Sequence, residues 1–95
     1  MLLSICIPTY NRPENLKNCL DSIAKQVCTD FEVCISDNNP SGNAQKIVQK
    51  YKNKITINYK KNLSNLGIGR NIVESVSMAK GEFVWILGND DMLLP

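Results

Sequence analysis

Glu82-Phe83-Val84-Trp85-Ile86-Leu87, running straight into Gly88-Asn89-Asp90-Asp91, decides the fold. A continuous apolar run that stops at turn residues reads as a strand buried on both faces, as central strands of parallel sheets are. Clustered carboxylates at its end fall at the carboxyl edge of the sheet, where open α/β sheets bind ligands. Asp90 and Asp91 are therefore the first candidates for chemistry.

Two upstream junctions have the same form. Phe31-Glu32-Val33-Cys34-Ile35-Ser36 is a strand pattern ending in Asp37-Asn38-Asn39-Pro40-Ser41-Gly42, a cluster of turn formers. Leu2-Leu3-Ser4-Ile5-Cys6-Ile7 runs into Pro8-Thr9-Tyr10-Asn11-Arg12-Pro13. Between these junctions lie helix signals. Asn11 is positioned to cap a helix, Pro13 suits its first turn, and Glu14 stands where a capping-box carboxylate would. Leu16, Cys19, Leu20, Ile23 and Val27 then recur at helical spacing as one apolar stripe.

A weaker helix is predicted over 41–51, with Ile47, Val48 and Tyr51 on one side. Ile55-Thr56-Ile57-Asn58-Tyr59 alternates like a half-buried or edge strand. The loop Lys61-Asn62-Leu63-Ser64-Asn65-Leu66-Gly67 leads into a helix carrying Ile68, Ile72, Val76 and Ala79, with Gly81 as its left-handed cap. The order strand, helix, strand, helix, strand, helix, strand predicts an α/β fold: three layers around a mostly parallel, doubly wound sheet with right-handed crossovers. If the fourth strand returns beside the first, the strand order is 3-2-1-4. A topological switch point then brings Thr9-Tyr10 and Asn89-Asp90 to one crevice.

At 95 residues with 43% apolar content, the chain has room for one small core, and is read as one domain or part of one. Eleven basic and nine acidic residues leave a net charge of +2, too little for a field directed at nucleic acid. Lys50-Tyr51-Lys52-Asn53-Lys54 with Lys60-Lys61 reads as a solvated helix end and strand edge. Cys6 and Cys34 fall in strand patterns, Cys19 on the apolar helix face; no CxxC pair and no histidine occur. Reduced, buried thiols in a cytosolic protein are the expectation, rather than disulfides or zinc. The start has no basic segment and its apolar stretch ends at Pro8, so neither a signal peptide nor a membrane span is expected.

Neither GxxxxGK[ST] nor GxGxxG is present. The Pro8-Thr9-Tyr10-Asn11 loop groups a ring, a hydroxyl and an amide, which suits packing and hydrogen bonding at a nucleobase edge; it equally suits a turn into a capped helix. Asp37-Asn38 is open to two readings as well, a ribose or base contact and an ordinary Asx turn. Adjacent carboxylates at Asp90-Asp91 repel each other unless a hard divalent cation, Mg2+ or Mn2+, sits between them and substrate phosphates.

Together these junctions resemble the inverting glycosyltransferases of family 2, which have the GT-A fold. The matching elements are Ser4-Ile5-Cys6-Ile7-Pro8-Thr9-Tyr10-Asn11-Arg12, Phe31-Glu32 into Asp37-Asn38, Asn65-Leu66-Gly67 with Arg70-Asn71, Lys80-Gly81-Glu82-Phe83-Val84, and Asn89-Asp90-Asp91 with Leu94-Pro95. The resemblance implies a nucleotide-diphosphate-sugar donor and a transfer reaction in cell-surface polysaccharide or glycoconjugate synthesis. It implies that Pro8, Thr9 and Tyr10 wall the base and that Asp37 and Asn38 flank base and ribose. Gly67 and Arg70 would lie near the nucleotide, Asn89 beside ribose or metal, and Asp90, with Asp91, on the Mg2+ or Mn2+ ion. Amides at Asn38 and Asn89 replace acids common in relatives, and the loop after Gly67 is shorter than usual.

The resemblance also implies that residues 1–95 are the amino-terminal, nucleotide-sugar-binding part of an incomplete GT-A domain. The catalytic base and the site for a saccharide or lipid-linked acceptor would lie in a missing half. The expectation is then that this segment binds nucleotide without catalysing transfer, that apolar surface around Trp85 promotes self-association, and that the full protein works in the cytoplasm or at the inner membrane face. The alternatives are a non-catalytic nucleotide-binding module and a flavodoxin- or receiver-like signalling domain.

Overall fold

The computed structural model describes residues 2–26, 30–42 and 44–88. Its elements alternate without exception: β1 (Leu3–Thr9), α1 (Pro13–Ala24), β2 (Phe31–Asp37), α2 (Gln45–Tyr51), β3 (Ile57–Lys61), α3 (Ile68–Ser77) and β4 (Phe83–Ile86). The sheet has the order β3-β2-β1-β4. All three pairings are parallel, with Leu3 opposite Phe31 and Phe83, and Val33 opposite Ile57. The 3-2-1-4 order expected from alternation is the order found.

Because side chains alternate along a strand, this register separates two unlike faces. Ile5, Ile7, Val33, Ile35 and Ile57 line one face and pack with Leu16, Cys19, Leu20 and Ile23 of α1 and Val48 and Tyr51 of α2. This is the apolar core. The opposite face presents Ser4, Cys6, Glu32, Cys34 and Ser36, all buried. Its cover is α3, whose own buried residues are Asn71 and Ser75.

A polar interlayer is stable only if its groups find partners. Glu32 is 1% exposed. Its carboxylate accepts hydrogen bonds from Ser4 Oγ at 2.6 Å, the Lys80 N–H at 2.6 Å and Asn58 Nδ2 at 2.9 Å, tying β1, β3 and the approach to β4 onto β2. Burial pushes this carboxyl upward, but the Ser4 and Lys80 hydrogen bonds, the Lys80 charge and the Cys34 thiol outweigh it and hold it below its ordinary value. Cys6, Cys19 and Cys34 are buried thiols outside any disulfide. Burial, with the neighbouring Glu32 charge, pushes the Cys34 thiol up to about 12.

Several local expectations are corrected. Arg12, not Asn11, precedes the first helical turn of α1, with no side-chain cap bond. Pro13 excludes its predecessor from helical geometry, so Arg12 is extended at φ −133° and Asn11 turns the chain at φ 54°. Helix α1 ends at Ala24, and Val27 lies outside the described residues. Helix α2 starts at Gln45 rather than 41 because Asn39 Oδ1 accepts from Ser41 N and Oγ, and Gly42 turns at φ 66°. Strand β3 begins two residues later than the 55–59 pattern, since Ile55 N still donates to the Tyr51 carbonyl at the end of α2.

Gly81 is not a left-handed cap. Helix α3 ends at Ser77 with Met78 in ordinary helical geometry, and Gly81 instead passes so close to β1 that a Cβ there would lie 2.8 Å from the Leu3 carbonyl carbon. Within the α3 pattern Ile68 is 83% exposed, whereas Asn71 and Ser75 are buried, so the helix turns a polar stripe to the sheet. Finally, β4 is an edge strand among the described residues and its Phe83, Val84, Trp85 and Ile86 are 44–63% exposed. The apolar run, read as doubly buried, is covered by β1 along one edge only, and Leu87 is its buried member.

Candidate functional site at the switch point

The carboxyl ends of β1 and β4 border a cleft of about 450 Å³. Its polar wall is Thr9, Asn38 and Asn71; its apolar wall is Pro8, Tyr10, Ile68, Ile72 and Ile86, with Arg12 and Gly88 at the margins. It lies where strand order reverses between β1 and β4, the position at which open α/β sheets leave room for a ligand. Another concavity, of about 420 Å³, lies over Lys52–Ile57 at the opposite end of β3. That one is formed by the turn between α2 and β3, away from the switch point, and among the described residues none of the predicted site residues lines it.

The polar wall is held by asparagines. Asn62, at the end of β3, donates from Nδ2 toward Asn38 Oδ1 at 2.9 Å, Asn71 Oδ1 at 3.1 Å and Ser36 Oγ at 3.1 Å. Asn71 Nδ2 donates to the Thr9 carbonyl, which also accepts the Asn38 N–H. Asn38 Nδ2 reaches Asn65 Oδ1 at 3.0 Å and the Gly67 carbonyl at 3.2 Å, and Asn38 Oδ1 takes the Leu66 N–H. Asn38, Asn62 and Asn71 are each 3% exposed. The network joins the ends of β1, β2 and β3 to the loop that starts α3.

The predicted residues divide between two settings. Pro8, Thr9, Tyr10 and Asn38 line the cleft, with Tyr10 49% exposed and Thr9 3%. Asp37 does not reach it: the side chain is fully buried, taking Tyr59 OH at 2.6 Å and the Asn39 N–H at 3.0 Å. Burial together with this carboxylate pushes the Tyr59 phenol upward. Gly67 precedes α3 at φ 84° and holds the loop through Asn38. Arg70 is exposed and lines a separate depression of about 260 Å³ with Lys60, Lys61 and Glu74, the last ion-paired to Lys60 at 2.6 Å. Asn89, Asp90 and Asp91 lie outside the described residues.

Residues 4–95 match the family described as Glycosyl transferase family 2. The chain belongs to that family. It is 44% identical over 97 residues to the abequosyltransferase RfbV of Salmonella typhimurium, covering 98% of this chain and 29% of the relative. It is 33% identical over 96 residues to the poly(ribitol-phosphate) beta-N-acetylglucosaminyltransferase TarP of Staphylococcus aureus, covering 96% of this chain and 29% of TarP. The crystal structure of S. aureus TarS 1-349 in complex with UDP superposes with a TM-score of 0.89 at 34% identity, over 97% of this chain and 28% of that one. A mannosyltransferase from Pyrobaculum calidifontis, in complex with GDP-Man and Mn2+, shares the fold with a TM-score of 0.82 at 20% identity, over 95% of this chain and 28% of that one. The chain thus spans under a third of the length of the relatives it matches.

For a family 2 member, the cleft of this chain has a polar wall largely invisible as a motif. In the sequence Asn62 is one residue of a polar loop, Asn71 half of an Arg-Asn pair, and Arg12 part of the opening segment. The available signal was the density of asparagine at 62, 65 and 71 around one loop. Among the described residues no group of three or more His, Cys, Asp or Glu is placed to hold a metal. In the sequence the adjacent carboxylates Asp90 and Asp91 follow two positions after cleft-lining Gly88, and adjacent carboxylates in general suit a hard divalent cation.

Proposed function

We propose that these residues hold the nucleoside diphosphate of a nucleotide-sugar donor, and that the whole protein transfers the sugar to a saccharide or lipid-linked acceptor in cell-surface polysaccharide or glycoconjugate synthesis. The observation that carries this reading is the switch-point cleft, whose lining joins the polar residues Thr9, Asn38 and Asn71 to the apolar surfaces of Tyr10 and Ile72. Such a pairing suits a planar, hydrogen-bonding base. Support comes from the family match and from the TarS structures in complex with UDP and with UDP-GlcNAc.

In this reading Asp90, with Asp91, holds Mg2+ or Mn2+. Bound there, such a cation would supply charge neutralisation for the diphosphate leaving group. The base that deprotonates the acceptor hydroxyl comes from outside these 95 residues. The buried thiols of Cys6, Cys19 and Cys34, outside any disulfide, support a reducing, cytoplasmic setting. The exposed Phe83–Ile86 edge supports self-association when nothing else covers it.

Calorimetric titration of the intact protein with UDP, GDP and FMN, each with and without Mn2+, tests the proposal. UDP or GDP binding that tightens with Mn2+ is expected. Asp90→Ala abolishes that tightening and Asp91→Ala weakens it less. Binding of FMN alone, or of no nucleotide, contradicts it.

A further inference from the structure

Asn62 is not on the cleft, yet it touches two residues that are. Its Nδ2 group has two hydrogens and faces three acceptors, Ser36 Oγ, Asn38 Oδ1 and Asn71 Oδ1, all within 3.1 Å. An asparagine amide presents a donor at one end and an acceptor at the other, so the partner of one end determines what the other end offers. Because Asn38 and Asn71 both turn Oδ1 toward Asn62, both turn Nδ2 away. Asn71 Nδ2 is thereby directed to the Thr9 carbonyl, and Asn38 Nδ2 to Asn65 Oδ1 and the Gly67 carbonyl.

We propose that Asn62 is a positioning residue for nucleotide binding, fixing the amide orientation of both cleft asparagines and, through them, the ends of β1 and α3 that frame the cleft. The inference rests on the reading of the cleft as a nucleotide site. Its chemical content is a polarity code: three acceptor oxygens converge on one donor group, and reversing that donor reverses the wall. Asn62→Asp has nearly the same shape and replaces the donor by a carboxylate oxygen. With a carboxylate facing them, Asn38 and Asn71 Oδ1 are repelled, and relief comes when one amide flips to donate. A flip at Asn71 leaves two carbonyl oxygens facing each other at Thr9; a flip at Asn38 does the same at Gly67. Burial at 3% exposure keeps water from substituting for the lost donor.

The test uses the intact protein and UDP with Mn2+ as probe, measuring the dissociation constant well below the midpoint of thermal unfolding, together with donor KM and kcat. Asn62→Asp is expected to raise the UDP dissociation constant and KM about tenfold while kcat changes less than about twofold, the pattern of a misoriented binding wall. Asn62→Ser keeps a single donor and is expected between the two; it decides the matter if Asn62→Asp does not fold. A structural role alone would lower the unfolding temperature and leave the affinity of folded protein unchanged, which overturns the proposal. A wild-type protein that binds no nucleotide overturns the reading beneath it instead, so the two failures are distinct.

Discussion

Asn71 Nδ2 donates to the Thr9 carbonyl over 3.2 Å, a bond between residues 62 positions apart that ties the first turns of α3 to the end of β1. Both residues line the cleft, and both are buried, so the bond is at once a fold contact and a part of the site wall. The cleft therefore keeps its shape only while α3 stays docked on the polar face of the sheet. Asn71 gives that docking its directional bonds, to the Thr9 carbonyl and from Asn62 Nδ2.

A size-preserving change at this position should accordingly be costly. Asn71→Asp sets a carboxylate oxygen against the Thr9 carbonyl, whereas Asn71→Ala removes the partner; each is expected to cost about 1–3 kcal/mol, with Asp at least as damaging as Ala. Urea unfolding followed by tryptophan fluorescence measures both. A harmless Asp beside a damaging Ala would show that packing, not hydrogen bonding, holds α3.

Glu32 makes stability depend on acid. Its folded-state value is held below the usual 4.5, so the carboxylate's contribution is fully present above that pH and is lost as pH falls through the folded value. Glu32→Gln, which cannot accept so strongly from Ser4 and the Lys80 N–H, is expected to lower stability at pH 7 by about 1–3 kcal/mol and to flatten the acid side of the stability profile. Denaturation midpoints collected from neutral pH down through that range check it.

Two glycines separate close approach from mere presence. At Gly81 a Cβ would meet backbone, 2.8 Å from Leu3 C and 2.9 Å from Ser4 N, so Gly81→Ala is expected to destabilise by about 1–3 kcal/mol. At Gly69, within α3, a Cβ meets nothing within 4 Å, and Gly69→Ala is expected to stabilise by about 0.5–1 kcal/mol. Thermal unfolding of the two variants should move in opposite directions.

The layered architecture and strand order were legible because they depend on local periodicity: Leu16, Cys19, Leu20 and Ile23 recur at helical spacing and are all buried, and short connections between like units force parallel pairing. Pro8, Thr9, Tyr10 and Asn38 could likewise be placed, since a strand's end is marked by its turn residues. What escaped were pairings between distant residues. Nothing near Asn62 announces Asn38 and Asn71 as partners, and Asp37 reads as available until Tyr59 is seen on its carboxylate. Gly81 shows the same limit, since a cap glycine and a close-contact glycine are alike in sequence. The run at Phe83–Ile86 misled because hydrophobicity reports what a strand is suited to bury, while its exposure depends on which neighbours are there to cover it.

The most direct test of the central claim is amide chemical-shift mapping of the intact protein with UDP, with and without Mn2+. A nucleotide in the switch-point cleft predicts the largest shifts at Thr9, Tyr10, Asn38 and Asn71, with Lys52–Ile57 unmoved. Shifts confined to Lys52–Ile57, or no shifts at saturating UDP, would contradict it.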